Sequence, residues 1–137
     1  MTVRVARSFE FDVPPAAVWS FIADPTKRAS AISVVSDYER RGETTVWSVR
    51  IPIVGKRVEV ETRDVERREG EYVKFVGTSS LLDVTGEHEI TATERGCRLD
   101  NTFVVDGKFP GVETAFERQL DDELDNLERQ LRAYTAG

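Results

Sequence analysis

The chain has 137 residues, a formal net charge of −6 and a pI near 4.9, a length that suits one domain over residues 1–137 with a substantial core. The acidic balance excludes a phosphate-backbone binder, because Arg40-Arg41 and Arg67-Arg68 lie beside Glu39, Glu43, Glu66 and Glu69 and read as solvated strand ends, so no nucleic-acid partner is expected. With no apolar run of membrane-spanning length, no apolar core in the leading residues, and Cys97 as the lone cysteine, the chain reads as soluble and cytoplasmic, without an integral membrane segment, disulfide, metal or cofactor.

The first segment alternates. Val3, Val5, Arg7, Phe9, Phe11 and Val13 are separated by Arg4, Ala6, Ser8, Glu10 and Asp12, which predicts a half-buried strand. Pro14 and Pro15 cannot extend a ladder but suit the first turn of a helix. Val18, Phe21 and Ile22 then recur at helical spacing beside Trp19, until Pro25 turns Asp24 away from helical dihedrals. This predicts a helix of about ten residues. Thr26 to Ala31 is small and polar, a second helical turn leading into Ile32, Val34 and Tyr38.

From Tyr38 to Asp106 the chain reads as successive strands: Thr44 to Ile53, Lys56 to Arg67, Glu71 to Thr78, Leu82 to Thr93 and Cys97 to Val105. Turn signals separate them at Arg41-Gly42-Glu43, Ile53-Val54-Gly55, Arg68-Glu69-Gly70, Ser79-Ser80, Glu94-Arg95-Gly96 and Asp106-Gly107. Connections this short forbid parallel crossovers, so the strands should form an antiparallel meander. The last segment returns to helical spacing at Val112, Phe116, Leu120, Leu124, Leu127, Leu131 and Tyr134, with an acidic opposite face. This long helix is the element able to cover one face of the sheet. Two heptads of leucine are too few to define a coiled coil, which leaves monomer or homodimer open.

A strand, two short helices, six further antiparallel strands and one long C-terminal helix form the order of the α+β helix-grip fold. The chain resembles the START-like superfamily, also called SRPBCC, which includes polyketide cyclase/dehydrase-like proteins, proteins like an accessory subunit of carbon monoxide dehydrogenase, and the Bet v 1 allergens. The local match runs from Phe9 to Pro25, where strand, proline, Val18-Trp19 helix and Asp24-Pro25 turn resemble the family's opening. The resemblance implies a seven-stranded curved sheet wrapped around the helix, and a deep cavity between them for an apolar or amphipathic small molecule. It carries over no catalytic motif, since one fold hosts many chemistries. Many members have an aromatic or a proline just after the Asp-Pro turn. Here the polar Thr26 to Ala31 predicts a cavity that is open or mobile at that end.

The candidate site residues follow from strand faces. Val84, Gly86, His88, Ile90 and Ala92 share one face, so His88, the only histidine, points to the apolar side. The favoured reading is a core histidine hydrogen-bonded to a neighbour; orienting a ligand or acting as general acid or base stand behind it. Asn101 lies among Leu99, Phe103 and Val105 and either meets the ligand or satisfies a buried backbone group. Two convergent polar groups in an apolar lining are what a small-molecule pocket uses for orientation.

Burial favours Trp47, Val49 and Ile51 facing inward over Val46, Ser48 and Arg50, although an inward Arg50 would bind an anionic group. Tyr38 aligns with Ile32 and Val34, which predicts an inward ring. Phe9 and Phe11 are expected at the pocket floor, Phe109 at its mouth, and Phe116 and Leu120 on its helical wall. Glu59 and Glu61 read as solvated, Cys97 as a quiet buried thiol, and Gly107 to Gly111 as a connection lacking the spacing of a phosphate loop.

Three functions follow. The leading one is a non-enzymatic module enclosing a small hydrophobic or amphipathic partner, such as a lipid, quinone or polyketide. The second is a cyclase or dehydratase using His88 as general acid or base. The third is an accessory protein resembling the carbon monoxide dehydrogenase subunit named above, ranked last because typical members carry a C-terminal membrane extension, whereas this sequence ends after the helix. Four lysines against fifteen arginines, beside twenty-five acids, also resemble the proteins of halophilic archaea, a bias that a GC-rich genome shares.

Overall fold

The opening alternation forms β1 (Thr2–Phe11), in which Phe9 and Phe11 are buried while Ser8 and Glu10 are exposed. Pro14 starts α1 (Pro15–Ile22), which buries Val18, Phe21 and Ile22. Asp24 then caps α2 (Pro25–Ser30), accepting from the Thr26 backbone N–H at 2.9 Å and from the Thr26 hydroxyl at 2.7 Å. The strands β2 (Val35–Arg41), β3 (Thr44–Arg50), β4 (Arg57–Arg68), β5 (Tyr72–Thr78), β6 (Leu82–Ala92) and β7 (Cys97–Gly107) follow, and α3 (Val112–Ala136) ends the order. This computed structural model describes residues 2–33, 35–50 and 57–136. The readings on Val34, Ile51, the Ile53-Val54-Gly55 turn and Lys56 lie outside the described residues.

The seven strands form one curved antiparallel sheet in the order β1-β7-β6-β5-β4-β3-β2. Every consecutive pair from β2 to β7 is a meander step, and β1 closes beside β7. Short links make this possible: Gly42 and Gly70 take positive φ (63° and 80°) in the β2–β3 and β4–β5 turns. Two readings shift at the margins. β7 runs through the expected Asp106-Gly107 turn because Leu82 pairs with Gly107, and β1 ends at Phe11, short of Val13.

At 25 residues α3 is roughly 37 Å long. Its stripe of Val112, Phe116, Leu120, Leu124, Leu127 and Leu131 is buried against the sheet. Arg7, on the inner face of β1, reaches up to Asp121 (3.3 Å) and Asp125 and ties the sheet edge to the helix. Farther along, the Arg132 guanidinium lies 4.8 Å from the Phe11 ring centroid, and its Nη2 donates to the Glu10 carbonyl. Tyr134 departs from the stripe. It is 40 % exposed, because its ring packs on Phe21 at the helix end while its hydroxyl meets Ser20 and Lys27.

Candidate functional site

Between sheet and helix lies a partly open space of about 60 Å³. The helix contributes Phe116, Leu120, Glu123 and Leu127 to it; β3 and β4 contribute Trp47, Val49 and Val60. Phe75, His88 and Phe103 form its floor on the central strands, and Arg28, Ile32 and Val35 close the α2 end. The resemblance implies a deep cavity, but the enclosed volume is well under the roughly 300–1,000 Å³ of ordinary ligand sites. Aromatic rings account for the difference. Trp47, His88 and Phe103 pack around Phe75 with centroids 5.6, 6.3 and 6.3 Å from its ring.

One cross-strand row explains why Phe75 can lie there. Asp64, Phe75, Gly86, Phe103 and Val5 stand opposite one another from β4 to β1. Gly86 has no side chain between the two phenylalanines, and a Cβ there would lie 2.1 Å from Phe75 Cε1. The glycine makes room for the ring. Next to this row stands Arg7, Asn101, His88 and Val73, again directly opposite one another.

His88 is 1 % exposed, and its Nδ1 lies 2.7 Å from Asn101 Oδ1. The amide orientation follows from its other bond, since Asn101 Nδ2 donates to the Arg7 carbonyl at 3.1 Å and a carbonyl can only accept. His88 therefore carries its proton on Nδ1 and leaves a lone pair on Nε2. Burial, reinforced by the nearby Arg28 charge and opposed by the Asn101 bond, lowers its pKa to about 4. At neutral pH it is an uncharged acceptor.

Arg28 is the residue that strand and helix periodicity missed. It sits in the segment expected to be open, yet it is 5 % exposed. Its Nη1 donates to the Ile22 carbonyl at 2.8 Å, Nη2 pairs with Asp64, and the guanidinium lies 5.3 Å from the Phe75 centroid. Arg28, Ala29 and Ala31 are buried within Thr26 to Ala31, while Ser30 is exposed. Glu123 was missed as well. It is buried on α3 and accepts from the Ser33 N–H and hydroxyl, Gln119 Nε2 and Asn126 Nδ2.

Of the sequence candidates, Trp47, His88, Phe103, Phe116 and Leu120 border the space. Asn101 does not; it holds His88 and satisfies a buried carbonyl. Phe9 and Phe11 are buried beneath α3 outside its walls. Tyr38 stands opposite Trp47 across the ladder, on the inward face, but it is 40 % exposed because β2 is an edge strand, and it is not part of the lining. Phe109, 55 % exposed in the β7–α3 connection, is also not part of the lining. Arg50, Glu59 and Glu61 are exposed, and Cys97 is buried with its thiol pushed up by burial. Among the described residues no three His, Cys, Asp or Glu side chains gather as metal ligands, and no helix is long and apolar enough to cross a membrane.

A curved antiparallel sheet gripping a C-terminal helix, with an apolar-walled space between them, defines a START-like domain. The chain belongs to the polyketide cyclase/dehydrase and lipid transport family, whose model matches residues 2–132. Among solved structures it is similar to a START superfamily protein from Mycobacterium smegmatis, with 12 % identity over 97 % of both chains and a TM-score of 0.75. A protein from Thermus thermophilus shares 19 % identity over 97 % of this chain and 98 % of its own, with a TM-score of 0.71. The di-domain ARO/CYC StfQ of the steffimycin biosynthetic pathway matches 99 % of this chain with 51 % of its own, at 14 % identity and a TM-score of 0.73. No curated protein matches the chain.

Proposed function

We propose that this domain binds a small hydrophobic or amphipathic molecule between sheet and α3, without turning it over. The observation that carries this reading is the composition of the enclosed walls. Apolar side chains from six strands and the helix make nearly all of the wall, and Arg28, His88 and Glu123 are the polar residues that border it, a mostly apolar lining of the kind small-molecule sites use. Apolar burial, worth roughly 25 cal/mol per Å², would supply most of the affinity. A space of about 60 Å³ holds little more than ordered water, so a ligand requires α3 to lift or the Phe75 and Trp47 rings to turn.

The family also bears the name of cyclases and dehydrases, and His88 is the group such chemistry would use. Two features favour binding instead. A neutral imidazole whose Nδ1–H is held by Asn101 has no proton on Nε2 to give, and a pKa of about 4 makes it a weak base. The acidic surface supports a domain that works without nucleic acid. Native mass spectrometry of the protein as purified tests the reading. Its success is a small molecule retained by the folded chain and released on denaturation; an empty chain that also refuses hydrophobic probes overturns it.

A further inference from the structure

The polar groups around the space are unevenly bonded. Arg28 commits Nη1 to Ile22 and Nη2 to Asp64, while among the described residues its buried Nε–H has no partner and the buried Trp47 Nε1–H has none either. The His88 ring borders the space, and its Nε2 makes no hydrogen bond among the described residues, Nδ1 alone being engaged by Asn101. Unpaired polar atoms on buried side chains are costly and are rare in folded proteins. Here two of them, with His88 Nε2 as a free acceptor, belong to side chains that flank the same Phe75 ring.

Charge narrows the ligand further. A buried arginine ordinarily suggests a carboxylate, but Asp64 already neutralises Arg28. Glu123 meets only neutral donors from Ser33, Gln119 and Asn126, so of the two charged side chains that line the space it is the one without an opposite charge beside it among the described residues. In a poorly solvated site a second anion is repelled.

We infer that the space selects an uncharged ligand with a carbonyl-type acceptor for the Arg28 and Trp47 N–H groups and a hydroxyl that donates to His88 Nε2, and that Glu123 turns anions away. This inference rests on the binding reading above and names the chemistry of that ligand.

Three probes of similar size separate the possibilities when titrated into the full chain at neutral pH: 4-hydroxyacetophenone, the anion 4-hydroxybenzoate and the hydrocarbon 4-ethyltoluene. Binding is followed by the Trp47 indole N–H signal in ¹H–¹⁵N spectra, identified with Trp47→Phe, and by displacement of a common dye. The hydroxyketone is expected to bind about tenfold tighter than either companion and to move the Trp47 indole proton downfield. Glu123→Gln should narrow the gap to 4-hydroxybenzoate about fivefold, and Trp47→Phe should weaken the hydroxyketone about threefold while sparing 4-ethyltoluene. If Glu123→Gln does not fold, the ranking in the unmodified chain decides. Tightest binding of the anion overturns the inference, and equal binding of hydrocarbon and hydroxyketone overturns it while leaving the binding reading intact. Refusal of all three overturns both.

Discussion

Replacing Gly86 with alanine puts a methyl group into the space of the Phe75 ring. The new Cβ would lie 2.1, 2.4 and 2.9 Å from Phe75 Cε1, Cζ and Cδ1, where carbon atoms prefer about 3.5–4.0 Å. The ring has little freedom to retreat, because Trp47, His88 and Phe103 flank it. Overpacking of this kind costs about 1–3 kcal/mol. The loss of a flexible glycine from a strand offsets about 0.5–1 kcal/mol, so the net destabilisation is roughly 0–2.5 kcal/mol. For a chain of this length that lowers Tm by up to roughly 10 °C.

A second background sharpens the test. In Phe75→Leu the obstructing ring is gone, so Gly86→Ala should turn neutral or stabilising, by up to about 1 kcal/mol. The two positions are thus coupled by about 1–3 kcal/mol. Urea and thermal unfolding of the four chains of this cycle, followed by circular dichroism, measures the coupling. An equal effect of Gly86→Ala in both backgrounds would refute the claim that the ring occupies the glycine's space.

Three further outcomes follow from the site. His88, held near pKa 4 against 6.5 in the unfolded chain, should make stability fall as pH is lowered from about 6.5 towards 4, on the order of 3 kcal/mol in total, because only the unfolded chain takes up the proton in that window. Denaturation midpoints between pH 7 and pH 5 should therefore change less in His88→Gln, and parallel slopes would count against a neutral buried imidazole. Arg28→Met leaves the Ile22 carbonyl and Asp64 without their donor and should cost about 2–4 kcal/mol in urea unfolding; Arg28→Met with Asp64→Leu should recover part of it, and no recovery would contradict the pairing. Asp24→Ala removes the α2 cap and should cost about 1 kcal/mol, with Asp24→Ser recovering most of the loss; a null effect would show that α2 is held by packing alone.

The order of elements was legible because period-two and helical patterns alternate sharply along this chain, with Pro14-Pro15 and the turn glycines marking the joints. The site was less so, and Arg28 shows why. Thr26 to Ala31 has the composition of a surface turn, and an arginine is buried only when a partner awaits it in space. Asp64 carried the missing signal: it follows Val58, Val60 and Thr62 on the inward face of β4, where a lone carboxylate requires a cation. Glu123 was similarly marked, three residues after Leu120 and four before Leu127 on the buried stripe. Tyr38 shares the face of Trp47, but it is exposed because its strand lies at the sheet edge, and strand order is something face alternation does not reveal. His88 and Asn101 were found by face, but their direct pairing across β6 and β7 depends on register, which no single strand reveals.

The central claim is that the space beneath α3 is a ligand site that opens. Crystal structures of the protein as purified and after soaking with 4-hydroxyacetophenone test it most directly. The expected result is density larger than water beside Phe75 and His88, with α3 or the Phe75 and Trp47 rings displaced outward. A space that stays near 60 Å³ in both crystals, filled by water alone, would contradict it.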